Sequence, residues 1–574
     1  MTTAIDADTP APVLTPGGGP ARRNRSLKQV DFWTFVSLAL LVLFGLFLIY
    51  PLWGVLKESV VSGEGEFTLE YFVDFFAKSY YFSTIFNSFI LSIAVTAVAL
   101  LIGIPFSYFY TYVKLRGQKL LFVGAVLSCM SAPFIGAYSW ILLLGRNGLV
   151  TSTIKSVFPW IDVPSIYGFG GLVLVLSLKL FPLVSVYMNG AFRSIDNSLV
   201  EAASLMGSTG LKRILTVSLR LTVPTMLAAS LLVFMRTFAD FGTPLLIGEG
   251  FRTFTVEIYN QYLGESGGNH NFAAAIGIIG VIVTAVVFWF QKYAAGKFTF
   301  TLKSSAPVVR VKPRGIRGAL IYVYMYALVG LSILPQFYVM YLSFRNSNAS
   351  VFLDGYSFAN YELAMDRLLV RSTLNTIWFG TISMAIIVVI SVLIAYLVVR
   401  RSNVVNNFLD TMAMIPYILP GAVIGIALVI AFNGQPLVLT GTAAIMILAL
   451  VIRRMPYTIR SATATLMHIP MSMEEASRSL GASKFKTFRK ITVPMMANGI
   501  TSGAILSFVA IVTEMAAGII LYNNQTITLT MSAYVAIARG NYGLACAFAT
   551  VLTVLTAIVL FVYLRFTREE DVTM

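Results

Sequence analysis

Apolar runs of about 20 residues, the length a helix needs to cross the hydrocarbon of a bilayer, recur along this chain, and that feature restricts its fold more than any other. Six precede the middle of the sequence, at 32–56, 83–112, 119–144, 168–191, 219–247 and 272–292. Six follow, at 317–343, 372–399, 406–432, 436–458, 493–521 and 542–565. The reading is therefore an all-α integral membrane protein of about twelve transmembrane helices. Composition agrees: 57% of the residues are hydrophobic and only 11% charged, against about a quarter charged in soluble domains.

The formal net charge of +16 would suggest nucleic acid in a soluble chain. Here it is expected from Lys and Arg kept in cytoplasmic loops, and no basic module with interleaved aromatics stands apart from the apolar runs, so nucleic acid is not expected as a partner. Lys114, Arg116 and Lys119 follow the second run, Arg400 and Arg401 the eighth, and Arg565 and Arg568 the twelfth. The loop after the first run holds Glu58, Glu64, Glu66, Glu70 and Asp74 against Lys57 and Lys78. If the runs alternate across the bilayer, the basic loops and both termini are cytoplasmic. Residues 1–30, rich in Pro, Gly, Thr and Ala, read as a disordered cytoplasmic tail, and 567–574 as a second tail. Between them lie a first half at 31–295, a basic linker at 296–316 and a second half at 317–566. Topological charge explains the linker, whose basic residues also suit an anionic lipid surface.

The two halves repeat one another. Glu201-Ala202-Ala203 with Gly207 returns as Glu475-Ala476-Ser477 with Gly481, each followed by basic residues: Lys212 and Arg213, then Lys484, Lys486, Arg489 and Lys490. Pro182 and Pro456 each stand 19 residues before the Glu, and Asp240 and Glu514 each 39 after it. Asn87-Ser88 and Asn375-Thr376 also correspond, but at an offset larger by 14 residues, a loss assigned to the external loop matching 145–167. Six spans per half make the halves parallel, related by an axis along the membrane normal, with a pathway expected where they meet. Both Glu-x5-Gly stretches fall on the cytoplasmic side. Small residues after the Glu let a short helix approach a partner, and the glycine permits the positive φ that reverses the chain.

This repeated pattern, with Thr492-Val493-Pro494 closing the second copy, resembles the signature loop of binding-protein-dependent ABC importer permeases, in the fused two-half form of ferric-iron permeases. The first copy departs from it, with Arg220 at the position of Pro494 and its proline at Pro224. The resemblance implies the type I ABC importer permease fold, with Glu201, Ala202, Ala203, Gly207, Glu475, Ala476, Ser477 and Gly481 in ATPase-coupling loops. It also implies two copies of an ABC ATPase subunit and an extracytoplasmic substrate-binding protein as partners, in a bacterial-type inner membrane. This chain has no P-loop, since Gly296-Lys297 is followed by Phe298. ATP and magnesium are thus expected on the partner ATPase, with no cofactor and no catalytic residue here.

Charges inside apolar runs are costly and face an interior. Asp240 and Glu514 are candidate pathway residues, for a cation route or outer gate; the rival reading pairs each locally, Asp240 with Arg236 one turn back, or makes it a cap. Lys179, Arg453 and Arg454 read as snorkelling residues near the inner surface in preference to pathway charges. Pro133, Pro182, Pro420 and Pro456 read as kinks. Cys129, Cys546, His270 and His468 form no metal-ligating pattern. Ala239-Asp240-Phe241-Gly242-Thr243-Pro244 resembles the branch that handles ferric iron, 2-aminoethylphosphonate, polyamines and thiamine, from which ferric iron is the expectation. An ion-coupled secondary transporter is the rival of another class.

Overall fold

The computed structural model describes residues 31–208, 210–264, 269–297 and 310–566. Both expected tails and most of the basic linker lie outside them. Where hydrocarbon offers no acceptor, apolar sequence satisfies its backbone by coiling, and serine and threonine inside the runs return their hydroxyls to the preceding turn, as Ser88, Ser92 and Thr96 do. The first half contains helices α1 (Phe32–Ser59), α2 (Glu70–Ala77), α3 (Ser79–Tyr112), α4 (Gln118–Met130), α5 (Pro133–Leu144), α6 (Leu149–Val157), α7 (Phe169–Arg193), α8 (Asn197–Leu205), α9 (Ile214–Phe238), α10 (Gly242–Ile247), α11 (Phe254–Leu263) and α12 (His270–Lys297). The second half contains α13 (Gly315–Ser343), α14 (Ala359–Arg367), α15 (Leu369–Arg400), α16 (Val404–Ile418), α17 (Gly421–Phe432), α18 (Ala443–His468), α19 (Met471–Ser479), α20 (Lys484–Met495), α21 (Ala497–Val512), α22 (Gly518–Leu521), α23 (Leu529–Ala538) and α24 (Tyr542–Phe566). A small antiparallel hairpin, β1 (Arg345–Asn348) and β2 (Val351–Tyr356), precedes α14.

Among the described residues, eight helices are long and apolar enough to span a membrane, and three bent pairs bring the number to eleven. The remaining expected span, at 436–458, is α18, which starts at Ala443 instead of 436 and carries Arg453, Arg454 and Arg460, so it is less apolar than the rest. Two expected straight spans are broken. Between α4 and α5 the axis turns by 102°, and between α16 and α17 by 111°. Pro133 and Pro420 therefore mark near right-angle breaks, where kinks were expected. The spans expected at 219–247 and 493–521 also end early, at Phe238 and Val512, and the chain turns before α10 and α22.

Order and packing repeat between halves: α3 matches α15, α7 matches α18, α8 matches α19, and α11 matches α23. Helix α6 has no counterpart, which is where the second half is shorter. The corresponding asparagines do the same job. Asn87 donates to the Arg252 carbonyl at 3.0 Å, and Asn375 to those of Gln525 and Ile527 at 2.7 and 2.9 Å. Ser88 accepts from the Phe254 amide at 3.0 Å, and Thr376 from the Leu529 amide at 2.9 Å.

The halves are laced together by their first helices. Trp33, Leu40, Phe44 and Leu48 of α1 are buried in the core of α15 to α18, and Ser37 donates to Asn406 at 2.8 Å. Met325, Leu328 and Val329 of α13 are buried in the core of the first half. Helices inside a bilayer gain stability from close packing, with little hydrophobic drive. Gly103 shows how close: a Cβ there would stand 2.8 Å from Val184 on α7.

Candidate functional site

Two places concentrate polar chemistry: the loop face that carries α8 and α19, and the seam between the halves.

Helices α8 and α19 end in the same way. The Gly207 amide bonds the Ser204 carbonyl and the Ser208 amide that of Ala203; the Gly481 amide bonds Arg478 and the Ala482 amide Ser477. These paired bonds close a helix through a left-handed residue, and Gly207 and Gly481 have φ of 80° and 83°. Just before each glycine an apolar side chain points into solvent, Met206 at 81% exposure and Leu480 at 88%. Glu201, Ala202, Glu475 and Ala476 are exposed on the same short helices, Ser477 is half-buried, and Ala203 is buried. Each loop then passes through one π-helical turn, Ile214–Ser218 or Phe488–Thr492, a feature often found at functional sites.

The copies differ in two respects. Helix α9 runs unbroken through Pro224, whereas the chain bends by 67° between α20 and α21, just after Pro494. In the second copy Glu474 is buried and paired with Arg400 at 2.8 Å, and Arg400 also bonds the Ile469 carbonyl. The first half has the uncharged Val200 at that position. Asp31, just before α1, bonds Lys484 at 2.9 Å and Arg401 at 2.8 Å. The hydrogen bond from Lys484 and then that from Arg401 hold its carboxyl below the ordinary 3.8, against the opposing effect of desolvation.

At the seam, Asp240 and Glu514 lie in the non-helical turns before α10 and α22, where their carboxylates accept the backbone amides of Thr243 at 2.9 Å and Ala517 at 3.2 Å. Non-helical backbone at membrane depth persists where protein covers it, and these side chains are 8% and 3% exposed. Lys179 reaches Asp240 at 3.4 Å; Arg453 reaches Glu514 at 3.2 Å, with Arg454 closer still. Lys179, Arg453 and Arg454 are thus buried ion-pair partners, contrary to the expectation of snorkelling. The carboxylates also act as caps, and Asp240 does not pair with Arg236. Helix α9 ends at Phe238, which removes the one-turn geometry that pairing requires.

Arg236 instead crosses the seam. It donates to the Tyr457 hydroxyl at 2.6 Å, with its guanidinium 5.4 Å from the centre of that ring, and Tyr417 packs edge-on against Tyr457 at 5.8 Å. The helix breaks flank this cluster. A Cβ on Gly242 would meet the Phe134 backbone at 3.2 Å, and one on Gly421 would overlap the Arg453 guanidinium. Residues at matching repeat positions meet at the seam: the hydroxyls of Tyr259 and Tyr534 are 3.3 Å apart, and Phe241 and Met515 share one apolar cluster with Phe134 and Ile519. The sequence reading missed Arg236–Tyr457, Tyr259–Tyr534 and Arg400–Glu474. Only the second pair carried a usable signal, since its members occupy matching repeat positions. Among the described residues no group of three His, Cys, Asp or Glu side chains is placed to hold a metal ion.

A family model described as the binding-protein-dependent transport system inner membrane component matches residues 75–299 and 387–568. The chain is 28% identical over 540 residues to the "Ferric transport system permease protein FbpB" of Actinobacillus pleuropneumoniae, covering 92% of this chain and 77% of that protein. It is 27% identical over 513 residues to the "Putative ferric transport system permease protein FbpB 1" of Haemophilus influenzae, covering 87% and 79%. Over 269 residues it is 27% identical to the "Putative 2-aminoethylphosphonate transport system permease protein PhnU" of Salmonella typhimurium, covering 46% of this chain and 92% of that one.

Proposed function

Because the chain belongs to the family of binding-protein-dependent transport system inner membrane components, we propose that it is the membrane permease of an ATP-driven importer whose substrate is ferric iron. One observation carries the reading of how it is driven. A single polypeptide presents two glycine-capped helices with apolar tips, at Met206 and Leu480, on one loop face. An exposed apolar side chain at the tip of a short helix suits insertion into a cleft on a partner, and two matching tips suit two copies of one ATPase subunit. Glu201, Ala202, Gly207, Glu475, Ala476, Ser477 and Gly481 form the docking loops, with Ala203 buried beneath the first. That face is cytoplasmic, together with both termini, because the basic loops lie on it.

ATP and magnesium are held by the ATPase subunits. Substrate arrives from an extracytoplasmic binding protein at the opposite face and crosses the seam past Asp240 and Glu514, whose ion pairs fix the turns that line it. Ferric iron is favoured by the two relatives named for ferric transport that match along most of the chain. A phosphonate is the second reading, favoured by the relative named for 2-aminoethylphosphonate transport, which matches about half of it.

The test is reconstitution of the chain in liposomes with its ATPase and binding protein. ATP-dependent accumulation of labelled iron is expected, and it should fall at least about tenfold when both Met206 and Leu480 become Asp, the factor that about 1.4 kcal/mol of lost coupling gives. Iron uptake that needs no ATP, or that survives the double change, would contradict the proposal.

A further inference from the structure

The charges at the seam do not cancel. Among the described residues the cluster holds four basic side chains, Lys179, Arg236, Arg453 and Arg454, against the carboxylates of Asp240 and Glu514. Lys179 and Asp240 neutralise one another, and Glu514 serves two guanidinium groups. Arg236 has a phenol for its partner and, among the described residues, no carboxylate within ion-pair distance. Arg236 is close enough to Lys179 and Arg453 for their charges to act on one another, and Tyr457 is similarly close to Arg453 and Arg454, so the surplus is concentrated in one place. Two donors there, Arg453 Nη1 and Arg454 Nε, are buried without an acceptor, which is costly unless an acceptor visits.

The surplus also faces accessible space. Arg236 keeps exposed surface beside Tyr457, and Tyr187, in electrostatic reach of Arg236, is 40% exposed. Tyr187 and Arg236 come from the first half, Tyr417 and Tyr457 from the second. A substrate that crosses between the halves meets guanidinium and phenol donors here. The carboxylates expected to line a cation route are already occupied by basic partners and backbone amides.

We infer that this seam is an anion checkpoint: the species that crosses it presents an oxyanion group to Arg236 and the tyrosines, and a metal ion crosses only within an anionic complex. Coulomb repulsion in a partly dehydrated site opposes a bare multivalent cation, a polyamine or a thiazolium ring, and favours a phosphonate or a metal bound to carboxylate or phosphate ligands. The inference rests on the reading that substrate passes between the halves.

Thiol chemistry measures the local charge without requiring transport. Cys129 is partly exposed and within electrostatic reach of Arg236 and Lys179, while Cys546 is fully buried. In the full chain in nanodiscs, the rates of an anionic sulfonatoethyl and a cationic trimethylammonioethyl methanethiosulfonate at Cys129 are each normalised to free cysteine. They are measured again at Tyr187→Cys in a Cys129→Ser chain. The anionic reagent should be favoured about tenfold; Arg236→Lys should keep that preference, Arg236→Gln reduce it and Arg236→Glu reverse it. Equal rates, a cationic preference, indifference to Arg236, or no reaction at either position would overturn the checkpoint.

Uptake by the complete assembly then separates the two sources of oxyanion. Ferric citrate taken up faster than ferric ion without a chelator supports the metal complex, and uptake of an alkylphosphonate supports the free oxyanion. Unchelated ferric ion carried faster, and undiminished in Arg236→Glu, would overturn the inference. Absence of ATP-driven uptake with every substrate would refute the importer reading, while the thiol rates would still report the charge of the seam.

Discussion

Glu514 answers two guanidinium groups, whereas Asp240 answers one ammonium group, so equivalent positions do unequal work. Glu514→Gln leaves Arg453 and Arg454 buried without their counter-charge, and breaking a buried ion pair from one side costs about 3–5 kcal/mol. Thermal unfolding in detergent should show that loss, with a smaller one for Asp240→Asn, because the longer Lys179 contact is the weaker bond. Equal effects would contradict the geometry. Asp31 supplies the pH dependence. Its folded carboxyl titrates below the ordinary 3.8, so the bonds to Lys484 and Arg401 contribute fully above that value and are lost as pH falls through the lower folded one. Hydrogen exchange at the start of α1 should therefore rise below about pH 4 in the native chain and be high at neutral pH in Asp31→Asn. Arg236 shows what stayed illegible at this scale: its partner Tyr457 is 221 residues away on the other half, and no local spacing announces such a pair. The basic partners of Asp240 and Glu514 were misplaced for a related reason, since a charge in an apolar run is spatially ambiguous until the turn that receives it is known.

The short glycine-capped helices α8 and α19 were legible at the scale of elements because glycine at a left-handed position and small residues behind a Glu leave a mark in sequence, and two marks fix one register. The broken spans were not. Hydropathy counts apolar residues without direction, so α4 with α5 and α16 with α17 read as straight crossings although each pair turns by more than 100°. Carboxylates at 240 and 514 likewise ended helices that their apolar surroundings seemed to continue. Helices α8 and α19 are also anchored differently. Arg400 and Glu474 form a buried pair, each under 10% exposed, and the first half places Val200 where Glu474 stands. Glu474→Ala should raise hydrogen exchange in α19 while leaving α8 unchanged, and equal loosening of both would contradict independent anchoring. Gly207→Ala and Gly481→Ala should each cost about 1 kcal/mol, the penalty for a side chain at positive φ, read as a lower unfolding temperature.

At the scale of the molecule, two parallel halves exchange their first helices, meet at an arginine and tyrosine seam, and offer two matching apolar tips on one face. The parallel repeat was readable from constant spacings between polar landmarks. The exchange of α1 and α13 was not, because an apolar helix carries no record of which half it covers. A fused chain can keep its two glycine-capped loops unlike, and the bend after Pro494, the Arg400–Glu474 pair and the Asp31–Lys484 contact all fall on the second. Under the proposed function, these contacts link α19 and α20 to α15 and to the residue before α1. The central claim, that one polypeptide provides both ATPase docking points, is tested most directly by native mass spectrometry of the chain with its ATPase subunit. Two ATPase copies per native chain are expected, one for Met206→Asp or Leu480→Asp alone, and none for the double change; a single copy on the native chain, or two retained in the double variant, would contradict it.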